Sequence, residues 1–439
     1  MKDSLQAIIL AGGKGTRLKD ISGDLPKSMV SVLGKPLLQH QIEQCVQYGF
    51  LDIHLLVSYK SDVIQNFFGD GSQFGATIHY HNEEVPRGTV RAMLDVLPHL
   101  NEQFLVLYGD TYFDVDLNRF WSFHQKGSSD ASLFLHPNDH PQDSDLVELD
   151  SHSKVVKIHG YPHDGVWYRN LVNAALYILN RSSLVDIEIN SDRPDIAKDL
   201  FPLMVDSGKS LYGYLSTEYI KDMGTPKRLN GVEQDICSGK VESLRFSTKK
   251  KALFLDRDGV INEDVDHLSD IDLFVLIPNV GKAIRKANQA GMLVVVVSNQ
   301  PVIARGELSV SNLRLIHNKL DTLLGAEGAY IDRLYYCPHH PDSGFDGEIK
   351  ALKVECDCRK PNPGLFFQAV EELNISLQDS WVVGDRTSDI LAGTNSNIRT
   401  ILVKTGYAGK DAKYTVNPNY VVADLAAAVE LVLQNVSGK

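Results

Sequence analysis

The sequence predicts an α/β protein of two domains, and three observations predict it. Short apolar runs alternate with amphipathic segments through the first half, the pattern of strands joined by helices in a largely parallel sheet with helices on both faces. A polar, basic stretch at 240–251 interrupts that pattern. Directly after it, Ala252–Leu255 opens a new apolar strand that ends in Asp256-Arg257-Asp258-Gly259. A chain of 439 residues has room for two or three domains at roughly 100–200 residues each. We expect a first domain over 1–240, a linker over 241–251 and a second domain over 252–439.

The composition narrows the class. A formal net charge of −12 argues against a general nucleic-acid surface, but anionic small molecules need only local cations. Met1-Lys2-Asp3-Ser4 shows no apolar signal region, and apolar runs such as 293–297 are too short to span a bilayer. The expectation is a cytoplasmic protein with no membrane partner, its oligomeric state open to a homo-oligomer. Five cysteines do not suggest a disulfide scaffold, and the grouping of Cys337, Cys356 and Cys358 points to metal.

In the first half, residues 7–10 read as a strand feeding Ala11-Gly12-Gly13-Lys14-Gly15-Thr16-Arg17. Glycines let a backbone approach a phosphate and turn its N–H groups inward. Lys14, Arg17 and the later Lys27 add positive charge, which favours a phosphate cradle over a plain flexible loop. Pro36 suits the first position of a helix over 37–48, closed by Gly49. Strands follow at 53–58, 77–81 and 104–108, with helices at 60–68 and 89–97 between them. The last strand ends in Gly109-Asp110, at the carboxyl edge where such sheets bind ligands. Asp222, in Asp222-Met223-Gly224-Thr225-Pro226, is a second acidic candidate. Two carboxylates from separate strands suit Mg²⁺ against a triphosphate, although either alone is more often a turn residue. Glu83 and Glu84 precede Pro86-Arg87-Gly88-Thr89. A carboxylate there can accept both donors of guanine's pairing edge, or the turn can simply be solvated.

Together these segments, from about residue 6 to about residue 229, resemble the sugar-1-phosphate nucleotidylyltransferases, and within them the heptose-1-phosphate and mannose-1-phosphate guanylyltransferases. The resemblance implies a Rossmann-like mixed sheet. It implies that Gly12, Gly13, Gly15, Thr16 and the Gly88 segment wrap the nucleotide, that Arg17 and Lys27 neutralise phosphates, that Asp110 and Asp222 bind Mg²⁺, and that Asn173 touches the sugar. The sugar phosphate would attack the α-phosphorus in line and release pyrophosphate, a reaction carried by positioning and charge neutralisation. Two departures stand out. Arg87 replaces a leucine of the family's Pro-Leu-Gly-Thr, and His159-Gly160-Tyr161-Pro162 replaces its Glu-Lys-Pro, so that Lys157 or Arg169 would have to supply the missing cation.

In the second half, Asp256 and Asp258 end one strand, one carboxylate placed to attack phosphorus and the other to manage protons. A helix over 279–290 with Asn279 as its cap leads to a strand at 293–297 ending in Ser298-Asn299-Gln300. Arg359-Lys360-Pro361 supplies cations, and a strand at 380–383 ends in Gly384-Asp385-Arg386-Thr387-Ser388-Asp389. Cys337-Pro338-His339-His340 and Cys356-Asp357-Cys358 suit a tetrahedral Zn²⁺, with His339 or His340 as the fourth ligand on spacing alone.

This order of motifs resembles the haloacid-dehalogenase phosphatase superfamily, and its cysteine loop resembles the heptose-1,7-bisphosphate 7-phosphatases and histidinol-phosphate phosphatases. The resemblance implies a doubly wound parallel sheet with a zinc-binding loop. It makes Asp256 the nucleophile and Asp258 the acid and base. It places Mg²⁺ on Asp256, Asp385 and the Asp258 carbonyl, and phosphate on Ser298, Asn299 and Lys360. Arg359 would meet a second phosphate, and Cys337, His339, Cys356 and Cys358 would hold structural Zn²⁺. The expected enzyme is bifunctional. It removes the C7 phosphate of heptose 1,7-bisphosphate, then joins heptose 1-phosphate to GMP from GTP. A mannose-1-phosphate guanylyltransferase fused to a histidinol-phosphate-type phosphatase is the alternative, as is a first half that only binds sugar nucleotides.

Overall fold

The structure, a computed structural model, describes residues 4–437 except 14, 16–22, 164 and 186. It divides into two compact units, one formed by 1–136, 144–161 and 171–245, the other by 137–143, 162–170 and 246–439.

The first unit is built on four parallel strands, Leu5–Leu10, Phe50–Val57, Thr77–Asn82 and Gln103–Tyr108. The helices Leu37–Gln47, Ser61–Phe68 and Thr89–Val96 lie between them in sequence. Both faces of the sheet are buried. Ala7 and Ile9 join Leu38, Ile42 and Leu55 in one core, while Ile8 joins Val90, Met93 and Val106 in the other. Two-sided burial explains why these strands read as continuous apolar runs. Beyond them the sheet is mixed. Val172–Asn180 runs antiparallel to Gln103–Tyr108 and leads to four further strands, nine in all among the described residues. A separate antiparallel ribbon pairs Thr111–Asp114 with Tyr219–Asp222.

The second unit is a six-stranded parallel sheet among the described residues. Its order is third, second, first, fourth, fifth, sixth, so Ala252–Leu255 lies between Leu293–Asn299 and Trp381–Gly384. The connections change direction between the first and fourth strands, and a crevice opens at their carboxyl ends. Asp256 and Asp385 each follow one of those two strands.

Some local expectations shift. Asn279 precedes the helix Val280–Gln289 but caps it with no side-chain bond, its own backbone lying at φ +68°. The segment expected as a solvated linker is pinned at both ends. Lys240–Ser243 is a short helix, and Arg245 chelates the buried Asp114 at 2.8–3.1 Å. Lys250 exchanges backbone hydrogen bonds with Asn374 and Ser376 at 2.9 and 2.8 Å. Among the described residues no helix is long and apolar enough to cross a membrane.

Candidate active sites

In the first unit a cavity of about 280 Å³ opens at the carboxyl ends of the parallel strands, lined by Gly12, Gly13, Lys27, Glu83, Gly88 and Asp110 among others. Two glycines are required by the backbone. At Gly15 (φ +64°) a Cβ would lie 2.9 Å from that of Lys27, and at Gly88 (φ +95°) it would lie 2.5 Å from the Pro194 carbonyl oxygen. Either side chain would move the loop it belongs to. Thr16 and Arg17 lie outside the described residues.

Lys27 pairs directly with Asp110. The ribbon brings Asp222 close by. It faces Thr111 in register, and the Met223 N–H donates to the Asp110 carbonyl at 2.8 Å. The Asp222 carboxylate takes both its oxygens to Arg228 at 2.9 and 2.7 Å. Thr225-Pro226 explains that geometry. Pro226 opens the helix Pro226–Cys237, Thr225 caps it, and Arg228 in the first turn is thereby placed over Asp222. The pair Asp110 and Asp222 is therefore neutralised by two protein cations in this form.

Glu83 enters the cavity from the end of its strand, its backbone N–H bonded to Val57 at 2.9 Å. Its Oε1 is buried, with Arg87 Nε beside it at 3.4 Å and no hydrogen bond of good geometry. Arg87, the departure noted in the sequence, turns to Asp95 and lies 3.4 Å from Glu83. Asn173 is not among the residues lining this cavity, although its Nδ2 is a buried donor without a bond. Neither cation considered as a replacement for the family lysine is placed there. Lys157 is exposed on Val155–His159, and Arg169 donates to Asp321 at 2.6 Å within the second unit. The loop 162–170 is drawn to that unit by further bonds, such as Tyr168 N–H to Thr322 at 2.9 Å.

In the second unit a cavity of about 660 Å³ is lined by Asp256, Asp258, Asn299, Arg359, Lys360 and Asp389 among others. Its centre is a sealed lysine. Lys360 Nζ lies 2.8 Å from Asp256, 2.7 Å from Asp389 and 2.7 Å from the Val297 carbonyl oxygen. Burial alone would lower the Lys360 pKa, but the two carboxylates outweigh it and hold the ammonium charged. Asp256, Asp385 and Asp389 bring their oxygens within 4.8 Å of one another. Three carboxylates against one lysine leave an excess of negative charge. Burial, with Asp389 and Asp258 beside it, raises Asp256 to about 6 against the pull of Lys360, and burial with Asp389 and Asp256 raises Asp385 to about 8. Asp385 Oδ1 is also buried without a partner. A divalent cation fits this set, since it would meet both the unpartnered oxygen and the unbalanced charge.

Asp258 is held differently. Burial pushes it up, but Arg257, Asn262 and Gln300 together hold it below the ordinary carboxylate range. Gln300 also donates to Ser298 Oγ at 2.9 Å, so one amide ties the hydroxyl to the second aspartate. The Asn299 amide grips the Lys360 peptide from both sides at 3.0 Å, setting the strand end against the lysine.

Cys337, His339, Cys356 and Cys358 gather into one cluster, with sulfur–sulfur separations of 3.2–3.5 Å and His339 Nδ1 at 3.3 Å from Cys358. His340 stands apart, its ring against Phe345. The Arg359 guanidinium donates to the His339 carbonyl at 3.1 Å, so the cluster and the cationic pair share one loop.

Three residues of this site are absent from the set read off the sequence. Asp389 was visible as the second acid of Asp385-x-x-x-Asp389, one turn into the helix Thr387–Asn395, but spacing alone does not say which acid reaches the lysine. Arg257 is wholly buried between Asp258 and His317, where an exposed loop arginine would have been the plain reading. Gln300 had only its adjacency to Ser298 as a signal.

A nucleotide-sized cavity over a glycine turn, and a lysine–carboxylate centre at a parallel sheet's switch point, define an enzyme of phosphate chemistry with two centres. A nucleotidyl transferase family model matches residues 6–239, and a HAD-hydrolase-like model matches 357–428. The chain is 40% identical over 185 residues to the D-glycero-β-D-manno-heptose-1,7-bisphosphate 7-phosphatase of Pasteurella multocida strain Pm70, covering 42% of this chain and 97% of that protein. It is 39% identical over 156 residues to the protein of the same name from Escherichia coli strain K12, covering 35% and 80%. Solved structures with similarity include HddC from Yersinia pseudotuberculosis (27% identity, 53% of this chain and 99% of that one, TM-score 0.46). Another is the D,D-heptose 1,7-bisphosphate phosphatase from B. bronchiseptica (34%, 42% and 99%, TM-score 0.38). The chain belongs to the nucleotidyl transferase family and to the D-glycero-β-D-manno-heptose-1,7-bisphosphate 7-phosphatase family. It is a bifunctional enzyme, a nucleotidyltransferase joined to a phosphatase.

Proposed function

We propose that the chain removes the C7 phosphate of D-glycero-β-D-manno-heptose 1,7-bisphosphate and then transfers GMP from GTP to the resulting heptose 1-phosphate. The observation that carries the first step is the sealed Lys360 between Asp256 and Asp389, with Asp258 alongside. In this reading Asp256 attacks phosphorus, Asp258, turned from Arg257 to the substrate and protonated from solvent, gives its proton to the leaving C7 oxygen, and an aspartyl phosphate remains. Water deprotonated by Asp258 then attacks that phosphorus, releasing phosphate and restoring Asp256. Lys360 offsets charge on the transferring phosphoryl group, and Ser298, at the carboxyl end of the strand Leu293–Asn299, would bond its oxygens. Asp256, Asp385 and the Asp258 carbonyl, with Asp389 close by, would hold Mg²⁺, which supplies further charge neutralisation. Arg359 would meet the phosphate at C1. Cys337, His339, Cys356 and Cys358 would hold Zn²⁺, whose usual four thiolate or imidazole ligands they supply.

For the second step, the Gly12, Gly13 and Gly15 turn would cradle the triphosphate, with Thr16 and Arg17 of the same turn. Lys27 would neutralise phosphate charge, and Asp110 with Asp222 would hold Mg²⁺ once Lys27 and Arg228 release them. Glu83, a buried carboxylate at the cavity wall with Arg87 at 3.4 Å, would accept from the pairing edge of guanine. Asn173 would touch the sugar, the role that the family resemblance gives it.

The test is an assay of the whole chain with α- and β-heptose 1,7-bisphosphate and each of four nucleoside triphosphates, following phosphate and pyrophosphate separately. The proposal expects phosphate from the β anomer, then pyrophosphate only in the presence of GTP. Pyrophosphate with another base, or none with any, would reject the second step, and no phosphate from either anomer would reject the first.

A further inference from the structure

On the face of the first unit's sheet that carries Ile8, a group of side chains sits away from both active sites. Asp52, His54 and His79 come from two neighbouring parallel strands, His54 facing His79 in register and Asp52 two residues earlier on the same face. Asp52 stands four residues before Leu56, which lines the nucleotide cavity, or roughly 13 Å along the strand. The group therefore lies toward the strands' amino-terminal ends.

Three atoms converge there. Asp52 Oδ1 is 2.9 Å from His79 Nε2 and 3.7 Å from His54 Nε2, and all three lie within 4.8 Å of one another. Neither Asp52 Oδ1 nor His54 Nε2 makes a hydrogen bond of acceptable geometry, although both are buried. His54 is 3% exposed, so an unbonded ring nitrogen there is costly unless something meets it. The separations suit a small cation. Ligands about 2.1 Å from a tetrahedral ion are about 3.4 Å apart, between the two distances found.

The outer atoms of the same groups are already fixed. His54 Nδ1 is bonded to His81 Nε2 at 2.9 Å, and Asp52 Oδ2 accepts from Gln6 at 2.7 Å. Gln6 is itself bonded to the Asn101 N–H at 2.6 Å. In the tautomer that donates Nδ1–H to His81, the lone pair of His54 is at Nε2, the form that binds metal. Such outer bonds set the tautomer and aim of metal-binding imidazoles. His79 is half exposed, which gives an ion a way in and leaves a position for water.

We propose that Asp52, His54 and His79 form a binding site for a divalent transition ion of the zinc class, with His81 and Gln6 as positioning residues. Two imidazoles and a carboxylate favour such an ion over Mg²⁺. Thr77–Asn82 ends the sheet on this side among the described residues, so the ion would tie that edge strand to its neighbour.

The experiment compares the full chain with its His79→Ala and Asp52→Asn variants. Each is stripped with chelator, reloaded with Zn²⁺ in millimolar Mg²⁺, desalted and analysed for zinc per chain. The proposal expects the parent to hold one more zinc than either variant, whatever the cysteine cluster binds. It also expects His81→Ala to weaken that zinc by about 10–100-fold in competition with a chromogenic chelator. Circular dichroism shows whether each variant is folded, and Asp52→Asn keeps the side-chain shape should His79→Ala be unstable. Equal zinc in parent and folded variants overturns the proposal.

Discussion

Lys360 and Asp389 meet at 2.7 Å with only 2% of either side chain exposed. A sealed ion pair is an expensive arrangement, and removing one partner strands the other charge. Here the lysine also pairs with Asp256, so Asp389 sets where Lys360 stands relative to the proposed nucleophile. Asp389→Asn keeps the shape and removes the charge. We expect phosphate release to fall about 100-fold, in line with loss of one preorganised charge. Pyrophosphate release by the same chain should be unchanged. A turnover number within threefold of the parent would show that Asp389 is only a scaffold residue.

The strand-end chemistry of this centre was legible in the sequence because a parallel sheet puts ligands at carboxyl ends, and Asp256, Ser298 and Asp385 each follow an apolar run. Asp389 and Gln300 were less legible, since their roles come from which side chain reaches Lys360 or Asp258 in three dimensions. Arg169 shows the same limit in the first half. Its position in the chain suggested a phosphate-binding cation, but pairing with Asp321 depends on a residue 152 positions later. The two-face burial of the first sheet was readable as continuous apolar runs. The mixed character of that sheet came from the family resemblance alone, because alternation of elements does not fix strand direction and so did not show that the strands turn antiparallel beyond Gln103–Tyr108.

Arg169→Ala tests that reassignment. Asp321 is 4% exposed and would keep only the Asn170 N–H among its bonds to the 162–170 loop. We expect a loss of stability of about 1–3 kcal/mol, the cost of leaving a buried polar group less satisfied. The KM for the sugar phosphate in the transfer reaction should stay within twofold. A tenfold rise in that KM, with stability unchanged, would return Arg169 to the transferase site.

Glu83→Gln separates base recognition from general nucleotide binding. In the protein the buried Oε1 has only Arg87 Nε beside it, at 3.4 Å, so a ligand donor would add a hydrogen bond of good geometry. Hydrogen bonds to a charged group contribute about 1.5–3 kcal/mol, or about 10–100-fold in kcat/KM. GTP should lose that much, and ATP should lose less than threefold. Equal losses for both nucleotides would mean that Glu83 shapes the loop instead of reading the base.

The zinc proposed for the cysteine cluster can be tested by chelation. Arg359 is bonded to the His339 carbonyl, and Asn362 donates to the Cys356 carbonyl at 2.8 Å, so both sides of Lys360 in the chain are tied to ligands of the cluster. Stripping zinc, or Cys356→Ser, should loosen the loop that delivers Arg359 and Lys360. Phosphate release should then fall at least tenfold and recover on adding Zn²⁺ to the stripped parent but not to the variant. Transfer of the nucleotidyl group, assigned in the proposal to Lys27, Asp110 and Glu83, none of which touches the cluster, should survive both treatments. Parallel measurement of phosphate and pyrophosphate checks this directly. Full phosphatase activity in a zinc-free chain would reduce the cluster to three thiols and an imidazole with no part in holding the site.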